Sequence, residues 1–218
     1  MQNILTINNA GWRGKRRGQW LLEGINLTVA AGERAAVLGK SGSGKTLLAD
    51  LAAGLQRPAQ GSVTHHGAAA MVTQAFSWYG DLTVAENLDF CCLIHDHEDD
   101  GSRIERILAA TGLTGWERTR TAKLPAGYRT MLQVACALMG QPDLVIMDDP
   151  SQLLDKQLKV KLSAILEQLS QAGAAVLICT GDEELALRCE TVYQLTAGRI
   201  TRLNIVAPTE GAKEAAAQ

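Results

Sequence analysis

The chain has 218 residues, a formal net charge of −2, and 46% hydrophobic against 20% charged residues. That balance fits one globular domain carrying a lobe, or two small domains, and the lack of a basic excess excludes a general nucleic-acid binder. No apolar run approaches the roughly 18 residues of a membrane span, and Met1-Gln2-Asn3-Ile4 carries no signal-peptide pattern.

From the N-terminus, residues 4–7 read as a short strand and residues 12–18 as a polar, Gly-rich loop whose basic run suits a solvated hairpin tip. Trp12 is a large aromatic on that loop, where a core role is not expected, so it is a candidate to stack on a nucleotide base, with Trp20 its competitor. A second strand covers residues 21–29. Ala31-Gly32-Glu33 then turns the chain into the apolar run Ala35-Ala36-Val37-Leu38.

The next stretch carries the chemistry. Gly39-Lys40-Ser41-Gly42-Ser43-Gly44-Lys45-Thr46 lies between a strand and the helical pattern of residues 47–53, the context a phosphate-binding loop needs. Its glycines let successive N–H groups turn inward around phosphates, and the helix that follows adds the partial positive charge of its N-terminus. Lys45 supplies a point charge for the β/γ-phosphates and the Thr46 hydroxyl can ligate Mg²⁺. Nucleotide binding is the expectation.

Residues 57–61 form a turn, and residues 62–65 and 69–72 two short strands around His66-Gly67; His65-His66 reads as a solvated pair. Gln74 ends the second of these strands. Thr83 and Glu86, three residues apart ahead of an apolar run, form a capping box that opens a helix. Residues 95–101 read as a solvated acidic loop, and residues 102–111 as a helix ended by Gly112. Residues 75–140 thus form a helical insert. Four apolar residues, Leu144 to Met147, then run into Asp148-Asp149-Pro150, as expected of a buried parallel strand that delivers acids to its C-terminal edge. Asp148 is placed to hold Mg²⁺ and Asp149 to accept a proton from an attacking water. A helix at residues 156–171, a buried strand at 174–179, a short helix at 183–189 and a hairpin at 191–203 follow. Residues 207–218 lack a core pattern and are expected to be disordered. Of the five cysteines, all but Cys189 lie in apolar runs, which suits reduced core thiols.

With these elements in view, the chain resembles the nucleotide-binding subunit of ABC transporters over residues 1–206. The fold implied is α/β: a P-loop NTPase core (residues 1–74 and 141–206) with a β-rich N-terminal lobe and an inserted helical subdomain (residues 75–140). The resemblance identifies Gly39 to Thr46 with the Walker A loop and Leu144 to Asp148 with the Walker B strand. It puts Gln74 at the Q-loop position, which contacts Mg²⁺, and Trp12 at the adenine-stacking position. Leu154-Asp155 resembles the end of the D-loop. Asp81 to Leu88 and Val134 to Leu138 look most like exporter ATPases that partner ABC-2 type permeases. The resemblance further implies ATP and Mg²⁺ as ligands, a membrane permease subunit as partner, and a peripheral position at the cytoplasmic face of the membrane.

Three positions depart from the family pattern. The signature Leu-Ser-Gly-Gly-Gln reads Leu124-Pro125-Ala126-Gly127-Tyr128, leaving Gly127 as the matching ligand-facing glycine. Pro125 removes a hydroxyl and an N–H donor, and Ala126 adds a methyl where close backbone approach is expected. The catalytic glutamate is replaced by Asp149, shorter by one carbon, and the switch histidine by Gly181. ATP binding with slow hydrolysis is therefore expected. Because such subunits pair head to tail, a heterodimer with a second ABC ATPase is favoured over a homodimer, since it leaves one site with a proper base. The alternative is a regulatory module that binds ATP without hydrolysing it.

Overall fold

The computed structural model describes residues 2–14, 18–73, 78–95 and 102–203. Two sheets share the strands. Strands β1 (Asn3–Arg13), β2 (Trp20–Ala30) and β4 (Gln60–His65) form an antiparallel sheet in the order β2-β1-β4. The larger sheet adds β3 (Arg34–Leu38), β5 (Ala69–Val72), β6 (Leu144–Asp148), β7 (Ala175–Thr180), β8 (Thr191–Thr196) and β9 (Arg199–Leu203), in the order β5-β6-β7-β3-β8-β9. Its first five strands run parallel, and only β9 is antiparallel to its neighbour. Strands β6 and β7 are buried along their whole length, which explains their unbroken apolar sequences.

Helix α1 (Lys45–Ala52) lies between the two sheets. Its Leu48, Ala49, Leu51 and Ala52 share one core with Leu5, Ile7, Leu22 and Ile25 of the small sheet and Val37, Ile146 and Leu177 of the large one. On the opposite face of the large sheet, α5 (Lys156–Gln171) packs Leu158, Leu162, Ile165 and Leu166 against Val145, Met147, Val176 and Ile178. The short α6 sits beside it and spans Glu183–Ala186, less than the stretch to Cys189 that the sequence suggests.

Between β5 and β6 the chain forms α2 (Val84–Ile94), α3 (Ser102–Thr111) and α4 (Ala126–Met139) around their own core of Val84, Leu88, Leu108, Leu113, Leu132 and Met139. The capping box is present at α2: the Thr83 hydroxyl accepts from the Glu86 N–H, and the Glu86 carboxylate accepts from the Thr83 N–H at 2.7 Å. The basic loop at Lys15 to Arg17, the residues Gln74 and Phe76, most of the acidic stretch after His95, and residues 207–218 lie outside the described residues. Among the described residues, no helix is long and apolar enough to cross a membrane.

One further placement differs from expectation. Strand β1 continues to Arg13, so Trp12 is a half-buried strand residue packed against the main core and not a loop residue. Register shifts on both sides of Ala10, together with Asn9 at φ 46°, carry the strand through a polar stretch that reads locally as a loop. Strands β4 and β5 are only three residues apart yet belong to different sheets. Gly67, at φ 81°, makes the crossing, and the Asp143 carboxylate accepts from the Ala68 N–H at 2.8 Å to fasten it.

Candidate functional site

The site is assembled at the C-terminal ends of β3, β6 and β7. After β3 the chain enters Gly39 to Gly44 and then α1, whose N-cap is Gly44 at φ 106°. A glycine in that position caps nothing with a side chain, so the first N–H groups of α1 stay free for an external anion. Gly39 is required by space: a Cβ there would stand 2.5 Å from Ser43 Oγ and 3.1 Å from the Leu195 carbonyl. Gly42, at φ 78°, is required by conformation.

Lys45 is buried, and its ammonium donates to the carbonyls of Gly39 (3.0 Å) and Lys40 (3.3 Å). The Thr46 hydroxyl donates to Asp148 Oδ2 at 2.7 Å, linking the start of α1 to the end of β6. The second oxygen of Asp148 is buried without a hydrogen-bond partner. Burial pushes the Asp148 carboxyl above the usual carboxylate range, Asp149 adds to the shift, and the Thr46 hydrogen bond opposes it. Burial also raises Asp50, on the same helix as Thr46. An orphaned, desolvated carboxylate oxygen beside a hydroxyl is a donor set that suits a hard divalent cation, so Thr46 and Asp148 fit Mg²⁺.

Asp149 has a left-handed backbone, φ 46°, with its N–H donating to the Cys179 carbonyl at 2.7 Å. Its Oδ1 accepts from the Gly181 N–H at 2.8 Å, and its Oδ2 lies 3.3 Å from the Lys45 ammonium. Gly181 is not forced by geometry: an added Cβ would meet only the Gly39 carbonyl at 3.5 Å and Asp149 Oδ1 at 4.0 Å, ordinary contacts. Together with Ser41, Lys45 and Asp149 it lines a cleft of about 420 Å³.

Three residues that the sequence reading passed over brace this cleft. Asp182 accepts from Ser151 Oγ (2.9 Å) and the Lys159 ammonium (2.8 Å), tying the segment after β6 to the segment after β7 and to α5. The Lys159 hydrogen bond holds the Asp182 carboxyl below its usual range. The available signal was local: an aspartate three residues before Leu185, whose N–H it caps at 3.3 Å.

Gly127 does not line the cleft. It is buried at the start of α4, where a Cβ would approach the Leu153 carbonyl at 2.9 Å and Leu158 Cδ1 at 3.0 Å. Pro125 is the N-cap of α4 and offers no side-chain cap, while the Tyr128 ring packs on Trp116 with centroids 4.9 Å apart. At the other edge, Trp12 pairs with Leu22, so the two side chains share one face of the small sheet. Leu22 Cδ2 stands 3.0 Å from where a Gly44 Cβ would be, so that face looks onto the phosphate loop. Trp20 is engaged elsewhere, with the Arg13 guanidinium 4.0 Å over its ring and the Gly11 backbone against it.

A second surface lies on α2. Tyr79, Phe90, Leu93 and Ile94 are exposed, with Tyr79 and Phe90 in an edge-to-face pair at 4.9 Å. Trp78, by contrast, packs against the helical core. The buried Asn87 amide fixes this surface: it accepts from the Tyr79 N–H at 2.9 Å and donates to the carbonyls of Tyr79 (3.1 Å) and Thr83 (2.9 Å).

Residues 22–152 match the family model described as ABC transporter. A taurine import ATP-binding protein of Pelagibacter ubique is 33% identical over 193 residues, covering 82% of this chain and 73% of that protein. A lipoprotein-releasing system ATP-binding protein of Chromohalobacter salexigens is 32% identical over 201 residues, covering 83% of this chain and 85% of that one. Among solved structures, a dimeric bacterial ABC transporter cassette superposes with a TM-score of 0.83 at 22% identity, over 91% of this chain and 97% of that one, which shows a shared fold.

Proposed function

We propose, because this chain belongs to the ABC transporter family, that it is the ATP-binding subunit that couples ATP binding and slow hydrolysis to a separate membrane permease. One observation carries the reading: Lys45, Thr46, Asp148 and Asp149 converge within hydrogen-bond or ion-pair distance at the ends of β3 and β6. In this assignment the N–H groups of residues 39–46 and the Lys45 ammonium bind the phosphates. Trp12 takes the adenine in preference to Trp20, whose ring is already covered. Thr46 and Asp148 would hold Mg²⁺, joined by Gln74, which lies outside the described residues. Held there, the ion would supply positive charge to offset the negative charge of the phosphates. Asp149 takes the proton of the attacking water.

Turnover is slow in this reading for reasons specific to this chain. The Asp149 carboxylate is held by the Gly181 N–H and by Lys45, and residue 181 has no side chain with which to hold a water or a phosphate. Gly127 serves the nucleotide of an opposing subunit, which suits its absence from the lining of this chain's own cleft. We assign that opposing subunit to a second, different ABC ATPase. The exposed Tyr79, Phe90, Leu93 and Ile94 dock the permease, which holds the chain at the cytoplasmic face. We keep export as the direction, on the exporter-like stretches at residues 81–88 and 134–138. One relative is named for taurine import and the other for lipoprotein release, so this level of similarity spans more than one kind of system.

A second reading, ATP held as a regulatory ligand without hydrolysis, is favoured by Pro125 at the N-cap of α4, where neither a hydroxyl nor an N–H is offered. ATP turnover and binding by the purified chain, beside Lys45→Ala, separate the two. The ATPase reading expects slow turnover that vanishes together with binding in Lys45→Ala. Tight binding with no turnover establishes the regulatory reading instead.

A further inference from the structure

The Lys45 ammonium has three N–H donors, and three oxygens stand around it: the carbonyls of Gly39 and Lys40 at 3.0 and 3.3 Å, and Asp149 Oδ2 at 3.3 Å. The two carbonyls belong to the phosphate loop itself and carry no net charge. Only the carboxylate is anionic, and it sits on Lys45 where a β/γ-phosphate oxygen has to arrive. It is not a loosely placed side chain. The Gly181 N–H holds its other oxygen at 2.8 Å, and the Asp149 N–H is fixed to the Cys179 carbonyl at 2.7 Å. The Lys45 side chain is 7% exposed and that of Asp149 20%, so solvent screens the pair poorly.

We propose that Asp149 is a specificity-determining residue that sets the chain's preference between nucleoside triphosphate and diphosphate: it competes with either nucleotide for Lys45 and, in addition, repels a terminal γ-phosphate. The inference rests on the nucleotide-binding reading above and concerns binding, separately from any role of Asp149 in hydrolysis. A nucleotide must displace the carboxylate from Lys45 and then lie beside it. A terminal γ-phosphate brings more negative charge to the end of the phosphate chain, next to Asp149, than a diphosphate does, so like-charge repulsion falls harder on the triphosphate. The chain is thereby biased towards the diphosphate.

The test is calorimetric binding of Mg²⁺ with ADP, and of Mg²⁺ with the non-hydrolysable β,γ-imido analogue of ATP, to the full chain and to Asp149→Asn and Asp149→Gly. Both replacements tolerate the left-handed backbone at this position, and thermal melts confirm that they are folded. In both variants the triphosphate analogue is expected to tighten by about tenfold more than ADP, which gains only from the lost competition for Lys45. Equal tightening of both nucleotides, or no tightening of the analogue, overturns the proposal. Two further outcomes separate the premise: wild-type affinity in Lys45→Ala overturns the placing of the phosphates on Lys45, and no binding of either nucleotide by the unsubstituted chain overturns the nucleotide-binding reading itself.

Discussion

Gly127 and Gly181 stand at two positions where the chain departs from or retains a family pattern, and their surroundings differ. A methyl at residue 127 meets the Leu153 backbone carbonyl at 2.9 Å and Leu158 Cδ1 at 3.0 Å, and the carbonyl cannot move without shifting the segment after β6. Gly127→Ala should therefore cost about 1–2 kcal/mol in spite of alanine's better helix propensity. That corresponds to a fall of roughly 2–8 °C in melting temperature. Gly181→Ala meets only ordinary contacts and should change stability by less than about 0.5 kcal/mol. Paired thermal melts check both; a tolerated Gly127→Ala would remove the close-packing account of α4. How much a residue reveals in sequence depends on where its reason lies. Gly39 to Thr46 were legible because loop, lysine and hydroxyl fall within eight positions of one another. Trp12 was misplaced because its neighbours Asn8, Asn9 and Gly11 are polar or small, and the pairing that makes them strand is supplied by β2 and β4.

At the scale of elements, α2 shows how a local signal and a long-range one combine. Its start is written in Thr83 and Glu86, but its orientation depends on Asn87, whose side chain secures the backbone of Tyr79 eight residues earlier. Asn87→Ala removes the partner of the Tyr79 N–H, while the Tyr79 and Thr83 carbonyls keep backbone donors from Leu82 and residue 87. The expected loss is about 1–3 kcal/mol, seen as a lower urea midpoint with unchanged slope. An unchanged midpoint would show that the Tyr79 turn is held by other contacts, such as the Thr121 hydroxyl at 2.7 Å. Strand assignment follows the same logic. Residues 62–65 and 69–72 were both recognisable as strands, yet which sheet each joins depends on β1, some sixty residues before, and β6, some seventy-five after. The brace of Ser151, Lys159 and Asp182 escaped notice for that reason too: its members lie on three separate segments.

For the whole molecule, the proposed pairing with a different ATPase makes a prediction about size. With Mg²⁺ and a non-hydrolysable ATP analogue, the isolated chain should remain monomeric by light scattering. It should dimerise when mixed with an ABC ATPase that carries a glutamate after its Walker B strand and a histidine at the switch position. A stable nucleotide-dependent homodimer of the isolated chain would overturn the heterodimer.

The turn between β8 and β9 has a mechanical consequence. Its Gly198 carbonyl accepts from the Glu23 N–H at 2.9 Å, Arg199 pairs with the Glu23 carboxylate, and a Cβ at Gly198 would lie 2.4 Å from the Leu21 carbonyl. The turn is in effect a rivet between the edge of the large sheet and β2 of the small one. A rivet at that edge resists shear, so the two sheets and the helix clamped between them carry load as one stiff plate. If the exposed face of α2 docks a permease as proposed, a pull on it should flex the joints of the helical lobe before it strains the plate beneath, which serves as its anvil.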